Sequence, residues 1–189
     1  PKGHFCPAGR ELPAACPSGT RRAEEGGSGP SDCAPCAPGS YSALTGRSAC
    51  SPCPAGWFTS AAGQLECSMC PRGTFASGAA TIACAACEDA GPLGSTTENI
   101  ASSNASACQC PAGTYLPADE ISCLPCPEGM FCPFGAQERR IGAPGAAWPV
   151  ARRGFMAREG APLFVFRCLS EDHCHGGECS GAGACAAQA

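Results

Sequence analysis

Large apolar side chains do not run in stripes along this chain. They come mostly singly or in pairs, and one set of aromatics follows a proline and a glycine: Tyr41, Trp57, Phe58, Phe75, Tyr115 and Phe131 all do. Proline and glycine turn the chain. The aromatic residue then opens a short strand, and a glycine region near Gly46, Gly63 or Gly78 reverses it. The next cysteine pair closes the hairpin. One aromatic per unit reads as a small core shared with the neighbouring unit; an exposed binding stripe is the alternative. Apolar density rises only after residue 135. Trp148 to Met156 and Leu163 to Arg167 read as two strands of a hairpin turned at Glu159-Gly160, with Phe164 and Phe166 on one face and Val165 on the other. Trp148, Phe155, Phe164 and Phe166 are therefore the candidate contact residues.

The hydrophobic pattern repeats because the cysteines repeat. Cys33, Cys50, Cys67 and Cys84 are each 17 residues apart, and so are Cys36, Cys53, Cys70 and Cys87. Nearly the same text follows each second cysteine: APGSYS, PAGWFT, PRGTFA, then PAGTYL after Cys110 and PEGMF after Cys126. The interval stretches between Cys87 and Cys108, and the stretch carries SSNAS, in which Asn104-Ala105-Ser106 is an N-glycosylation sequon. PKGHFCP at the start aligns with PEGMFCP at 127–133, which predicts a cysteine just before Pro1, and the odd total of nineteen cysteines fits a cut through a paired set. On that reading the chain is a fragment or a processed product.

Composition tells what such a chain cannot be. Leu, Ile, Val and Phe together make up only about an eighth of the 189 residues, too little for a large oil-filled core. Nineteen cysteines point to covalent staples instead. Net charge is -4, only Lys2 is lysine, and no basic patch is interleaved with aromatics, which argues against nucleic acid. The longest run of large apolar residues is Leu163 to Phe166, far short of the roughly 20 needed to span a bilayer. No signal-peptide core is visible. The histidines His4, His173 and His175 have no nucleophile beside them and no Gly-rich phosphate loop opens a helix, so no enzyme and no cofactor is expected.

Cys33, Cys36, Cys50 and Cys53 have zinc-ribbon spacing. Against zinc, each interior C-x-x-C would have to serve two sites, and Cys108-Gln109-Cys110 breaks the spacing. Disulfides are the expectation, with no metal. The two cysteines of each pair are expected to bond in opposite directions, giving Cys36–Cys50, Cys53–Cys67 and Cys70–Cys84, and by extension Cys16–Cys33, Cys87–Cys108 and Cys110–Cys123. The competing set pairs Cys33 with Cys50 and Cys36 with Cys53; spacing alone does not decide. Cys126 and Cys132 are also expected to be bonded. His173-Cys174-His175 with Asp172 could hold a metal, but a polar glycine-loop tip is the plainer reading. The arginine pairs Arg139-Arg140 and Arg152-Arg153 read as solvated charges, with processing sites or acidic-glycan contacts as the alternative.

The unit C-P-x-G-x-[YF]…C-x-x-C resembles the ephrin-receptor-like (GCC-type) cysteine-rich repeat, and is more distantly similar to tumour-necrosis-factor-receptor and laminin-type EGF modules. The resemblance covers residues 1 to about 134. It implies a small disulfide-rich fold of mostly short β-hairpins, an elongated tandem-repeat rod with little or no helix, outside the cell or on its surface. It brings no catalytic residues. Three regions are expected: repeats over 1–134, a cysteine-free hairpin segment over 135–167, and a truncated EGF-like start over 168–189. The last is similar to the opening of an EGF module, which implies Cys168–Cys179 and Cys174–Cys185. The function expected is a structural stalk, spacer or fibre subunit; an adhesive or ligand-binding ectodomain is the alternative. Partners would be the chain itself, head to tail, or other extracellular proteins and glycans.

Overall fold

The computed structural model describes residues 1–8, 12–141, 146–158 and 161–167. The tail bearing Cys168, Cys174, Cys179 and Cys185, and the His173–His175 cluster, lie outside them, as does the turn at Glu159-Gly160. Among the described residues the backbone makes nine antiparallel two-strand ladders and no α-helix. They are β1 (His4–Phe5) with β2 (Ala14–Ala15), β3 (Thr20–Arg21) with β4 (Ala34–Pro35), and β5 (Ser40–Tyr41) with β6 (Ser51–Pro52). Next come β7 (Trp57–Phe58) with β8 (Ser68–Met69), β9 (Thr74–Phe75) with β10 (Ala85–Ala86), and β11 (Thr96–Thr97) with β12 (Cys108–Gln109). Last are β13 (Thr114–Tyr115) with β14 (Leu124–Pro125), β15 (Met130–Phe131) with β16 (Val150–Ala151), and β17 (Phe155–Arg158) with β18 (Ala161–Arg167). The chain is a disulfide-rich array of short hairpins. It forms two compact units, Pro1–Ala86 with Asn99–Ala107, and Cys87–Glu98 with Cys108–Ala189.

Each repeat starts with a tight turn. Trp57 N–H donates to Pro54 C=O (3.1 Å), and Gly56 between them has φ +83°. A β-turn with positive φ at its third residue is type II, which favours glycine there. The same turn recurs at Pro71–Thr74 around Gly73 and at Ala37–Ser40 around Gly39. The return strand of a regular repeat is the two residues inside C-x-x-C. Residues three apart on an extended chain face opposite ways, so Cys67 and Cys70, flanking β8, cannot both reach one partner. Cys67 bonds back to Cys53 and Cys70 forward to Cys84. Cys36–Cys50 and Cys16–Cys33 obey the same rule.

Within the first unit, backbone hydrogen bonds tie each repeat to its successors. Gly19, Gly39 and Gly56 N–H donate to Ser42, Thr59 and Ala76 C=O of the following repeat (2.7, 2.8 and 2.8 Å). In the other direction, Gly63, Ala80 and Ala101 N–H donate to Cys36, Cys53 and Cys70 C=O, each at 2.8 Å. The carbonyls of those same three residues press on Gly19, Gly39 and Gly56, two repeats back, where any Cβ would collide with them. The repeat glycine is thus required twice, by its φ and by a carbonyl arriving from two units away. The reversing position is left-handed in every repeat: Gly46 (φ +72°), Gly63 (+74°), then Ala80 (+58°) and Ala101 (+57°). Gly78, expected to reverse the third hairpin, does not; Ala80 takes that conformation instead.

The core is sulfur and small side chains. Cys16, Cys36, Cys53 and Cys70 are fully buried, while Leu44, Leu65, Ile82 and Ile100 lie exposed. Phe5 packs with Cys16 and Cys33, and Phe75 is buried. Tyr41, Trp57 and Phe58 are half-buried.

In the second unit the stretch between Cys87 and Cys108 begins with four inserted residues, Glu88 to Gly91, which place a 3-10 turn (Cys87–Asp89) between the cysteine and its turn. The turn itself survives: Ser95 N–H donates to Pro92 C=O (3.0 Å) around Gly94 (φ +77°). The repeat after it obeys the rule of the first unit, with Gly113 N–H on Cys132 C=O (2.9 Å) and Gly135 N–H on Cys110 C=O (2.8 Å). Phe131 departs from the expected aromatic core. Cys132 is buried in its bond to Cys126, and side chains alternate along a strand, so Met130 points in and Phe131 is half-exposed. The cysteine-free segment keeps the repeat pattern in altered form. Arg152 N–H closes β15–β16 on Gly129 C=O (2.8 Å), as Cys53 N–H closes β5–β6 on Gly39 C=O (2.9 Å). Arg152-Arg153-Gly154 then makes the turn into β17, with Phe155 N–H on Arg152 C=O (3.0 Å) and Gly154 at φ +84°.

Candidate interaction surface

Among the described residues, the longest strands belong to the final hairpin. Pairing sets Met156 opposite Phe166 and Ala157 opposite Val165. Directly opposed residues share a face, as do residues two apart. One face therefore carries Met156, Phe164 and Phe166, exposed by 48, 68 and 54%. The other carries Phe155, Ala157, Leu163 and Val165, all half-buried. The four candidate contact residues thus separate into two kinds. Phe164 and Phe166 face solvent. Trp148 is 9% exposed, and Phe155 lies against Gly129 so closely that a Cβ there would strike its ring. Phe155 packs inward because its side of β17 lies on the turn around Gly129. Met156 is not among the residues that sequence singles out. Its signal is the cross-strand register, which spacing within one strand does not reveal.

Charge collects in the same region. Residues 138–167 hold six arginines and two glutamates, while the remainder of the chain holds six basic and fourteen acidic residues. Arg152, Arg153 and Arg167 are exposed at the ends of the hairpin's strands. Arg152 and Arg153 beside that apolar face complement an acidic surface with apolar side chains of its own.

A cleft of about 400 Å³ lies between Leu116–Ile121 and Gln137–Arg139. Two polar contacts border it. Glu138 accepts the Ala118 N–H (2.8 Å), and Arg139 approaches Asp119 (3.8 Å). Burial, helped by the Glu138 charge, raises the pKa of the adjoining Tyr115, which keeps that phenol protonated.

The cysteines with zinc-ribbon spacing are consumed elsewhere: Cys33 bonds Cys16, Cys36 bonds Cys50, and Cys53 bonds Cys67. Among the described residues the remaining bonds are Cys70–Cys84, Cys87–Cys108, Cys110–Cys123 and Cys126–Cys132, while Cys6 is a free, exposed thiol. No described helix is long and apolar enough to cross a membrane.

The family described as tyrosine-protein kinase ephrin type A/B receptor-like matches residues 26–63 and 58–108. Residues 26–108 carry ephrin-receptor-like repeats. The two matched segments span the regular hairpins and end at Cys108, the close of the insert-bearing repeat. No curated protein sequence is significantly similar to the chain. Ephrin-receptor-like repeats joined by this density of disulfides are an extracellular type of module, since such bonds persist in oxidising compartments.

Proposed function

We propose that this chain is a non-enzymatic structural module of a cell-surface or secreted protein, serving as stalk, spacer or fibre subunit. The observation that carries the reading is the repeated donor–acceptor scheme: Gly63, Ala80 and Ala101 each bond the cysteine carbonyl of the preceding repeat in the same way. A scheme that recurs over successive repeats transmits position from unit to unit.

Self-association is the form this role takes here. The face of Met156, Phe164 and Phe166, with Arg152 and Arg153 at its edge, docks on the acidic stretch 88–128 of another copy, where Leu93 and Ile121 are exposed. Such a contact joins unlike surfaces and propagates head to tail. Sedimentation velocity over a range of concentrations tests it. The expected result is growing oligomers, dispersed by salt and by Phe164→Ser with Phe166→Ser. A strict monomer at all concentrations overturns the fibre reading.

The exposed apolar face also supports a second reading, an adhesive ectodomain that binds another extracellular protein or a glycan. A monomer that captures an acidic glycan column, and loses that capture in Arg152→Ala with Arg153→Ala, favours the second.

A further inference from the structure

Asn104 and Ser106 form the chain's one Asn-x-Ser/Thr sequon, since the other asparagine, Asn99, is followed by Ile100-Ala101. Both sequon side chains are exposed. The loop that presents them is fixed on its inner side: Ala101 N–H donates to Cys70 C=O (2.8 Å), and Ser102 C=O accepts the Ala76 N–H (3.0 Å). At its outer side Asn104 begins the 3-10 turn Ala105–Ala107. Its Oδ1 accepts the Ser106 N–H (2.9 Å), and its carbonyl accepts the Ala107 N–H (3.1 Å). The carboxamide is thereby oriented at the loop tip, with the hydroxyl residue of the sequon drawn beside it.

We propose that Asn104 carries an N-linked glycan, displayed from the loop that interrupts the repeat period. In the reaction Nδ2 bonds C1 of the first sugar of a lipid-pyrophosphate-linked oligosaccharide. The C1–O bond to pyrophosphate breaks, Nδ2 gives up one proton, and the lipid pyrophosphate leaves. The regular repeats lack any acceptor, so the sugar marks one loop. The inner face of that loop is already committed to Cys70 and Ala76, so the glycan occupies space the repeats do not need.

This inference rests on the extracellular reading above. The test is expression in a secreting eukaryotic cell, treatment with peptide N-glycosidase, and mass spectrometry of the peptide containing residue 104. The expected result is a glycosidase-sensitive mass shift that leaves aspartate at 104. The shift disappears in Asn104→Gln and Ser106→Ala and persists in Ser106→Thr, with the disulfide map unchanged in all three. A secreted, disulfide-bonded protein with unmodified Asn104 overturns this inference and leaves the extracellular reading standing. So does a shift that survives Asn104→Gln. A secreted protein with reduced cysteines overturns both.

Discussion

Between Cys36 and Cys84 the strands are two residues long, and every ladder is closed by a disulfide. Between Phe155 and Arg167 the strands run to four and seven residues, with no cysteine between them. Both regions use a left-handed glycine to enter the first strand, Gly39, Gly56 and Gly73 in one and Gly154 in the other. Past the turn they diverge. A two-residue ladder buries little and is marginal by itself; the repeats make up the shortfall with sulfur bridges and with bonds to neighbouring repeats. The hairpin extends its ladder and rests one side-chain layer, Phe155, Leu163 and Val165, on the structure beneath. The turn is thus the shared device, and the way it is stabilised is free to change. Where staples do the holding, large apolar residues such as Leu65 and Ile82 are left outside. Where packing does the holding, the apolar residues of the outer face are the ones left for a partner.

The comparison breaks most visibly under reduction. Opening Cys53–Cys67 by paired Cys→Ser substitution releases a loop of about 15 residues, worth roughly 3 kcal/mol by loop-closure entropy. Hydrogen exchange is expected to accelerate at Ala80, whose N–H is held by Cys53 C=O, and at Cys70, while β17–β18 keeps its protection. Equal loss in both regions would contradict the division.

Glycine substitutions come next. Gly56→Ala places a Cβ at φ +83° and against the Ala101 carbonyl, and is expected to cost about 3 kcal/mol from left-handed strain plus the clash. Gly113→Ala has φ +86° and nothing near its Cβ, so only the strain applies, about 1–2 kcal/mol. Urea unfolding of the two variants separates these values. Equal costs would remove the two-repeat contact from the account. In the opposite direction, Ala80→Gly relieves a left-handed alanine (φ +58°) and is expected to gain up to about 1 kcal/mol, after allowing for glycine's freedom when unfolded.

A smaller effect comes with pH. Asp32 accepts the N–H groups of Ser28 and Gly29 through one oxygen (2.7 and 3.1 Å). Those bonds, together with Arg22, lower its pKa below the ordinary 3.8. A depressed carboxylate contributes stability that is present above its ordinary pKa and is lost as pH falls through the lowered value. Protection of the Ser28 and Gly29 amides is therefore expected to fade only below pH 3.8, and Asp32→Asn to remove the pH dependence. The smallest effect is on the hairpin. Phe164→Ser and Phe166→Ser are expected to leave stability within about 0.5 kcal/mol, as exposed substitutions do.

Much of the repeat architecture is legible from spacing alone. The 17-residue period and the odd offset within C-x-x-C both come from sequence, because covalent partners must lie where short turns can bring them. The bonds between repeats are not legible. They join backbone atoms such as Gly63 N–H and Cys36 C=O, and no side chain records them. The left-handed Ala80 is hidden for the same reason: Gly78 nearby looks the better candidate, and the chain's path around Cys53 decides otherwise. Arg152-Arg153-Gly154 conceals a repeat-like turn by lacking its cysteine. At the candidate surface, the richness of residues 148–166 in aromatics is visible, but which of them face out depends on the β17–β18 register and on the contact of Phe155 with Gly129, a residue distant in sequence.

Mass spectrometry of non-reduced proteolytic peptides tests the central claim, that cysteines of one pair bond in opposite directions and so chain the repeats together. The account requires peptides linking Cys36 to Cys50, Cys53 to Cys67 and Cys70 to Cys84. Peptides linking Cys33 to Cys50 and Cys36 to Cys53, or free thiols at these positions, would contradict it.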